Sequence, residues 1–333
     1  MKEEGASRVV EYSTSEITGY DFIGDVHGCA ETLVILLKKL GYSRENGYFS
    51  HPERQAIFLG DIVDRGPHIR EALAIVKGMV DNNTAQCILG NHELNALCYT
   101  TLAREGSSKT HIREHTSHHN RLIAETLEQF AAFPEQWRSY LEWFKTLPLF
   151  VELPGCRAVH ACWDSYFIEE YKQIYGSALL TEEVLLDCSD DESFASRCLD
   201  RLTRGTEFRL PKGEYILGRD GFKRQSFRTK FWARSPVTYQ DVVFQPDPLP
   251  PHLENKALSE HEKQALLSYP AGEPPVFVGH YWLQGRPRPL KANVACLDYS
   301  AVKYGRLTAY RFDGEKNLQD NKFVWVYVDA RTD

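Results

Sequence analysis

The sequence predicts an α/β fold. Three short apolar runs each end in glycine, each is followed at once by a polar cluster, and apolar residues at helical spacing come next. Residues 20–24 form the first run, closing on Gly24, and Leu33, Leu36, Leu37 and Leu40 then mark one helix face. Residues 55–59 form the second, closing on Gly60, with a helix predicted over 69–80 through Ala72, Leu73, Ile75 and Val76. Residues 85–89 form the third, closing on Gly90. Such βα repetition argues for a sheet with a largely parallel edge. Residues 104–147 read as polar helix, and 150–159 as a β-hairpin turning at Pro154 and Gly155. Late strands are predicted at 276–278, 294–297, 307–312 and 323–328. Between them, over about 165–275, periodicity is weak, and that segment reads as a cap inserted over the site. It holds Lys212, Arg219, Lys223, Arg224, Arg228, Lys230 and Arg234, with prolines at 246, 248, 250 and 251. The expected organisation is a polar tail, 1–18, and one domain, 19–333, that carries this cap.

Composition narrows the function. The chain has 333 residues, 42% of them hydrophobic, enough for a substantial core. A formal net charge of -7 argues against a general nucleic-acid binder, so any phosphate handled here needs locally supplied positive charge. The first residues carry Glu3, Glu4, Glu11 and Glu16 and no apolar signal core. No stretch approaches the roughly 18 apolar residues of a membrane span, and the expected location is the cytoplasm. The 8 cysteines form no Cys-x-x-Cys pair and are expected to be reduced thiols; Cys156 and Cys162 are the pair that could instead bridge a hairpin.

The chemistry lies in the polar clusters. They read Gly24-Asp25-Val26-His27-Gly28, Gly60-Asp61-Ile62-Val63-Asp64-Arg65-Gly66 and Gly90-Asn91-His92-Glu93. Ligands of open α/β sheets bind at the carboxyl ends of strands, so these clusters converge. His160 closes a further apolar run, and His280 follows Gly279 at the end of another. Carboxylate, imidazole and amide oxygen without thiolate is a ligand set for hard to borderline divalent metals. Asp25 and His27 lie two apart, so both reach one metal only if the strand has ended and the loop has turned.

The five segments GDVHG, GDIVDRG, GNHE, AVHA and VGHYW together resemble the signature of the calcineurin-like metallophosphoesterases. The branch most resembled holds the phosphoprotein phosphatases and the bacterial symmetrical diadenosine tetraphosphatases. The stretch from Cys296-Leu297-Asp298-Tyr299 to Leu307 resembles it too, although Tyr299 stands where relatives often carry a small residue. The resemblance implies two facing mixed β-sheets flanked by helices. It implies two divalent metal ions, Mn first among Mn, Fe, Zn, Co and Ni. Asp25, His27 and Asp61 would hold one ion, and Asp61, Asn91, His160 and His280 the other. A metal-bridging hydroxide would attack phosphorus in line. His92 would protonate the leaving oxygen, Asp64 would orient it and raise its pKa, and Arg65 would clamp phosphate oxygens, near Asn91.

Other residues carry plainer readings. Asp64 could pair with Arg65, and Glu93 suits the first turn of a helix. His111, His115, His118 and His119 read as a solvated helix face, the first, second and fourth sharing one side. Cys162 beside His160 is not needed as a nucleophile. Arg224, Arg228 and Lys230 follow the turn signal Asp220-Gly221 and alternate with Phe222, Phe227, Phe231 and Trp232, which suggests a substrate-facing surface. Arg228 and Lys230, two apart, would share one side of a strand. Tyr281 and Trp282 could stack a base. The expected partner is a phosphorylated small molecule, nucleotide or protein, with no membrane and nucleic acid disfavoured. Phosphomonoesters, including phosphoprotein side chains, are the leading substrates, and dinucleoside polyphosphates the alternative. A non-catalytic binding module is a remote third reading, because every expected ligand position is filled.

Overall fold

A computed structural model describes residues 17–218, 221, 223–244 and 249–328. Residues 1–16 of the tail expected over 1–18, and Arg219, Asp220, Phe222, Pro246 and Pro248, lie outside the described residues. The first half runs β1 (Gly19–Ile23), α1 (Ala30–Lys39), β2 (Ser43–Glu45), β3 (Tyr48–Ser50), β4 (Arg54–Phe58), α2 (Ile69–Asp81), β5 (Ala85–Cys87), α3 (Asn91–Thr100), α4 (Ser117–Phe130) and α5 (Pro134–Phe144). Next come β6 (Phe150–Leu153), β7 (Cys156–Val159), α6 (Ser165–Tyr175), α7 (Glu182–Asp187), α8 (Phe194–Arg204), β8 (Glu207–Arg209), β9 (Ile216–Leu217), β10 (Lys223–Arg224) and β11 (Ser226–Thr229). The remainder is α9 (Tyr239–Val242), β12 (Val243–Phe244), α10 (Pro251–Glu254), α11 (Glu260–Ala265), β13 (Val276–Val278), β14 (Val294–Cys296), β15 (Asp298–Tyr299), β16 (Arg306–Phe312) and β17 (Phe323–Tyr327).

Two mixed sheets organise the chain. One runs β15-β16-β1-β4-β5, with β17 also paired to β16. Its β1, β4 and β5 are parallel, and β16 is antiparallel to β1 with Phe22 opposite Tyr310. The other runs β14-β13-β7-β6, with Phe277 level with Ala158 and Ala295 in parallel register. Alternation sends Phe22 and Ile57 of the first sheet and Ala158, Phe277 and Ala295 of the second into one shared core. Phe22 and Phe277 stack across it, ring centroids 3.8 Å apart at 12°. Leu33, Leu36 and Leu37 of α1 and Ala72, Leu73 and Val76 of α2 are buried in the larger apolar cluster. The architecture is therefore the pair of facing mixed sheets flanked by helices that the motifs implied.

The middle of the chain departs from the pattern-based reading. Helix α4 starts only at Ser117, because Thr116 is extended and its side chain accepts the His119 N–H as an N-cap. His111 and His115 thus precede the helix, stacked on each other at 4.1 Å, and share no helix face with His119. Within 165–275, helices α6 to α8 contribute Ile168, Tyr171, Leu185, Leu199 and Leu202 to the main core. Residues beyond them have a core of their own, made by Leu210, Ile216, Phe227, Tyr239, Val242 and Leu253. All 8 cysteines are free and buried, Cys156 and Cys162 included. Among the described residues no helix is long and apolar enough to cross a membrane.

Candidate metal centre

Strands β1, β4, β5, β7 and β13 all end at one place, and the loops that follow turn unusually sharply. His27 (φ 42°), Asp61 (φ 53°), Asp64 (φ 66°), Arg65 (φ 70°) and His280 (φ 65°) all take left-handed backbone. Each such residue costs on the order of 1–3 kcal/mol, so surrounding structure must hold it. The first two loops hold each other: Asp61 O accepts from Val26 N and His27 N, and Ile62 O from Gly28 N. Gly66 lies so close to His27 O that a Cβ there would sit 1.8 Å from it.

Glu93 holds the second loop to helix α3. Its Oε2 accepts from Asp61 N at 2.8 Å and Gly90 N at 3.1 Å, and its Oε1 from Ile62 N at 2.7 Å and Val63 N at 3.2 Å. The plainer reading of Glu93 as a helix-dipole residue is therefore too small; it positions the Asp61 loop. Burial raises its carboxyl to about 7. Glu93→Gln would turn an amide N–H₂ toward backbone N–H donors. We expect a loss of about 2–3 kcal/mol in denaturant unfolding of the metal-free protein. An unchanged midpoint would show that the loop holds without it.

Asp61 stands at the middle of the cluster. Its Oδ2 lies 3.6 Å from His27 Nε2, 3.9 Å from His92 Nε2 and 3.4 Å from His160 Nε2. Asn91 Oδ1 lies 3.1 Å from His160 Nε2 and 2.7 Å from His280 Nδ1. Two groups of ligand atoms gather within 4.8 Å: His27, Asp61 and His92, and Asp61, His160 and His280. Asp25 stands beside the second group, its carboxylate accepting the His280 N–H at 3.1 Å.

The donor chemistry fits cations. His27 Nδ1 faces Val63 O at 2.8 Å, and His160 Nδ1 faces Leu59 O at 2.6 Å. A ring nitrogen facing a carbonyl carries the proton, so each Nε2 turns a lone pair toward Asp61. Burial acts against a charged His160, yet Asp61 raises its pKa, so the space between carboxylate and imidazole favours positive charge. Burial pushes Asp25 well above the usual carboxylate range, with Asp298 and Asp61 adding to it. Burial acts against ionised Asp61 too, but His160, His92 and His27 hold it well below that range.

His92 and Asp64 form a separate buried pair, Nδ1 to Oδ2 at 2.6 Å. Thr126 Oγ1 donates to the other Asp64 oxygen and accepts from Asp64 N. Burial raises Asp64 to about 7 and lowers His92 to about 3. The expectation that Asp64 raises the His92 pKa is therefore corrected. Loss of water is the first cause of both shifts and outweighs the pairing. Arg65 does not pair with Asp64. Its Nη1 lies 3.0 Å from His27 Nε2, and its Cζ lies 4.5 Å above the Trp282 ring.

On β11, Phe227 and Thr229 are buried while Arg228 is half-buried, as is Lys230 just past the strand, so Arg228 and Lys230 do lie on the other side. Arg228 has no ion-pair partner among the described residues. Burial lowers its pKa, and of the neighbouring charges it is the one that most lowers the His280 pKa. Arg224 lies in the β9–β10 ribbon. Tyr281 is corrected: it is fully buried, with Phe231, Trp232 and Phe244 around its ring, and cannot stack a base. The same contacts place Phe231 and Trp232 in a core rather than on a substrate surface. The half-buried ring of that pair is Trp282, with Lys303 Nζ at 3.6 Å from its centroid. Tyr299 is buried and accepts from Arg288 N. Sequence reasoning missed Thr126, whose hydroxyl meets the Asp64 carboxylate.

A profile of calcineurin-like phosphoesterases matches residues 20–202. The chain belongs to that family. Calcineurin-like phosphoesterases use a dinuclear divalent metal centre, and the Asp61 cluster supplies the His and Asp groups for one. A curated relative, the asymmetrical bis(5'-nucleosyl)-tetraphosphatase PrpE of Halalkalibacterium halodurans, is 39% identical over 118 residues, 35% of this chain and 48% of its own. A PrpE from Geobacillus sp. (strain WCH70) is 32% identical over 147 residues, 42% of this chain and 55% of its own. The chain thus spans about half the length of these curated relatives. Among solved structures, a protein serine/threonine phosphatase from Saccharomyces cerevisiae aligns over 95% of this chain and 83% of its own at 14% identity, with a TM-score of 0.48.

Proposed function

We propose that this calcineurin-like phosphoesterase is a metal-dependent phosphohydrolase acting on phosphomonoesters, phosphoprotein side chains among them. The observation that carries the reading is Asp61 Oδ2, which lies within 3.4–3.9 Å of imidazole nitrogens on His27, His92 and His160. In this reading Asp25, His27 and Asp61 hold one divalent ion, and Asp61, Asn91, His160 and His280 the other. Bound ions would supply an activated water and positive charge at phosphorus. The protein's own groups do the rest. Arg65 and the Asn91 amide hold phosphate oxygens, and the Arg65–His27 contact gives way when that lone pair is otherwise used. His92, held at Nδ1 by Asp64, passes the proton of its other ring nitrogen to the leaving oxygen, and Asp64, whose carboxyl burial raises to about 7, returns one to Nδ1. Residues 206–266 form a cap from which Arg228 and Lys230 hold the distal part of the substrate, with Arg224 further out. Mn suits this N/O ligand set, as do Fe, Zn, Co and Ni.

A second reading, hydrolysis of dinucleoside polyphosphates, is favoured by the printed activity of the PrpE relatives and by the half-buried Trp282 beside Arg65. Elemental analysis of the purified protein, followed by a panel of aryl phosphate, phosphopeptide and diadenosine tetraphosphate under Mn, Zn, Fe, Co and Ni, tests both. We expect bound divalent metal and turnover of at least one panel member. Full activity in demonstrably metal-free protein would overturn the proposal.

A further inference from the structure

The proposed centre draws on Asp25 and Asp61 for its charge, and a further buried aspartate, Asp298, stands at the same place. Strand β14 ends at Cys296 in the four-stranded sheet and β15 begins at Asp298 in the six-stranded one, so Leu297 alone carries the chain from one sheet to the other. That crossing lies against the first metal loop. Gly24, the residue before Asp25, packs on it so closely that a Cβ there would collide with Leu297 O. Gly279, the residue before His280, packs in the same way on Asp25 Oδ1. Asp298 O accepts from Leu283 N at 3.0 Å, and the Asp25 carboxylate accepts from His280 N, so the two aspartates hold the two ends of the loop that carries His280. Asp298 is 2% exposed. Burial is the first cause of the raised Asp25 pKa, and of the charges that add to it Asp298 comes before Asp61.

One oxygen of Asp298 has a structural task. Oδ1 accepts from Ser300 N at 2.9 Å and so fixes a residue in left-handed backbone (φ 57°). A neutral Asn would make that bond equally well. Oδ2 is buried and meets no hydrogen-bond partner among the described residues. A buried carboxylate oxygen left in this way costs stability unless positive charge answers it. Arg65 is engaged elsewhere, with Nη1 at His27 Nε2 and its face on the Trp282 ring. We infer that Asp298 is a further residue of the metal centre, whose free oxygen serves the ion held by Asp25, His27 and Asp61 by its charge and by accepting a hydrogen bond from water around that ion. It is a positioning residue, because it acts through the ion and its water and not on substrate. The inference rests on the proposed metal-dependent reading and adds to it a carboxylate outside the ligand set.

The test is calorimetric titration of metal-stripped, full-length protein with Mn alone, beside denaturant unfolding of the same metal-free samples. Asp298→Asn keeps an oxygen for Ser300 N and removes the charge. It is expected to weaken binding of at least one Mn ion by roughly 10–100-fold. Metal-free, it is expected to unfold at the wild-type midpoint or above it, since an unanswered buried charge has gone. Asp298→Ser, a smaller neutral residue that keeps an oxygen, is expected to weaken Mn binding in the same way. Tyr299→Phe, the next residue of the same strand and outside the centre, is expected to leave Mn affinity unchanged. A loss of affinity that Tyr299→Phe matches, or that comes with an earlier metal-free midpoint in both neutral variants, overturns the inference in favour of a structural role. Two ions bound with unchanged affinity by both wild type and Asp298→Asn reject the role of Asp298 and spare the proposed activity. Wild-type protein that binds no divalent ion overturns both.

Discussion

Replacing Asp61 by Asn is expected to lower kcat by roughly 10³-fold or more and to release at least one bound metal. Asp61 is the residue common to both ligand groups, so one lost charge weakens two sites. Asn keeps the shape and an oxygen but lacks the negative charge that would hold a cation between it and the imidazoles. The backbone should persist, because the contacts of Asp61 O with Val26 N and His27 N and of Asp61 N with Glu93 are main-chain on the Asp61 side. Elemental analysis and turnover are the two measurements. A variant with two ions and near-normal turnover would refute the bridging assignment.

His92→Ala is expected to keep its metal and to lose roughly 10²–10⁴-fold in rate, the usual scale of general acid catalysis. The Nδ1 of His92 is committed to Asp64 at 2.6 Å, which aims its other nitrogen into the centre. The loss should shrink for substrates with good leaving groups, which need little protonation. The alternative outcome is specific: His92 Nε2 also lies 3.9 Å from Asp61 Oδ2. If the variant loses metal in step with activity, His92 is a ligand and the proton must come from elsewhere.

Much of the candidate ligand constellation was legible because it is local. Asp25, His27, Asp61, Asn91, His160 and His280 each follow a strand-length apolar run within a few residues, and five strands ending together is a property of the fold class. What the pattern hid was long-range or conformational. Glu93 looks like any first-turn carboxylate until the Asp61 loop is folded against it. Thr126 touches Asp64 across 62 residues of chain. Left-handed backbone at His27 and Asp61 leaves no compositional trace, since neither residue is glycine. Tyr281 was misread for the opposite reason. An aromatic beside a candidate ligand resembles a base platform, but Gly205 and the rings of Phe231, Trp232 and Phe244 close over it. The histidines before α4 were misread because one Thr cap, three residues before His119, moved the helix start.

Asp61 extends from the end of β4 in the six-stranded sheet, whereas His160 and His280 extend from β7 and β13 in the four-stranded one. A cation shared among them would rivet one sheet to the other where the strands end, joining distant segments of the chain. Ligand that binds only the folded state adds about 2.7 kcal/mol at a hundredfold excess over its dissociation constant. The heat tolerance of this protein would then be set partly by its surroundings. Where divalent ions are scarce the two sheets would part more readily, and the same chain would be a frailer molecule.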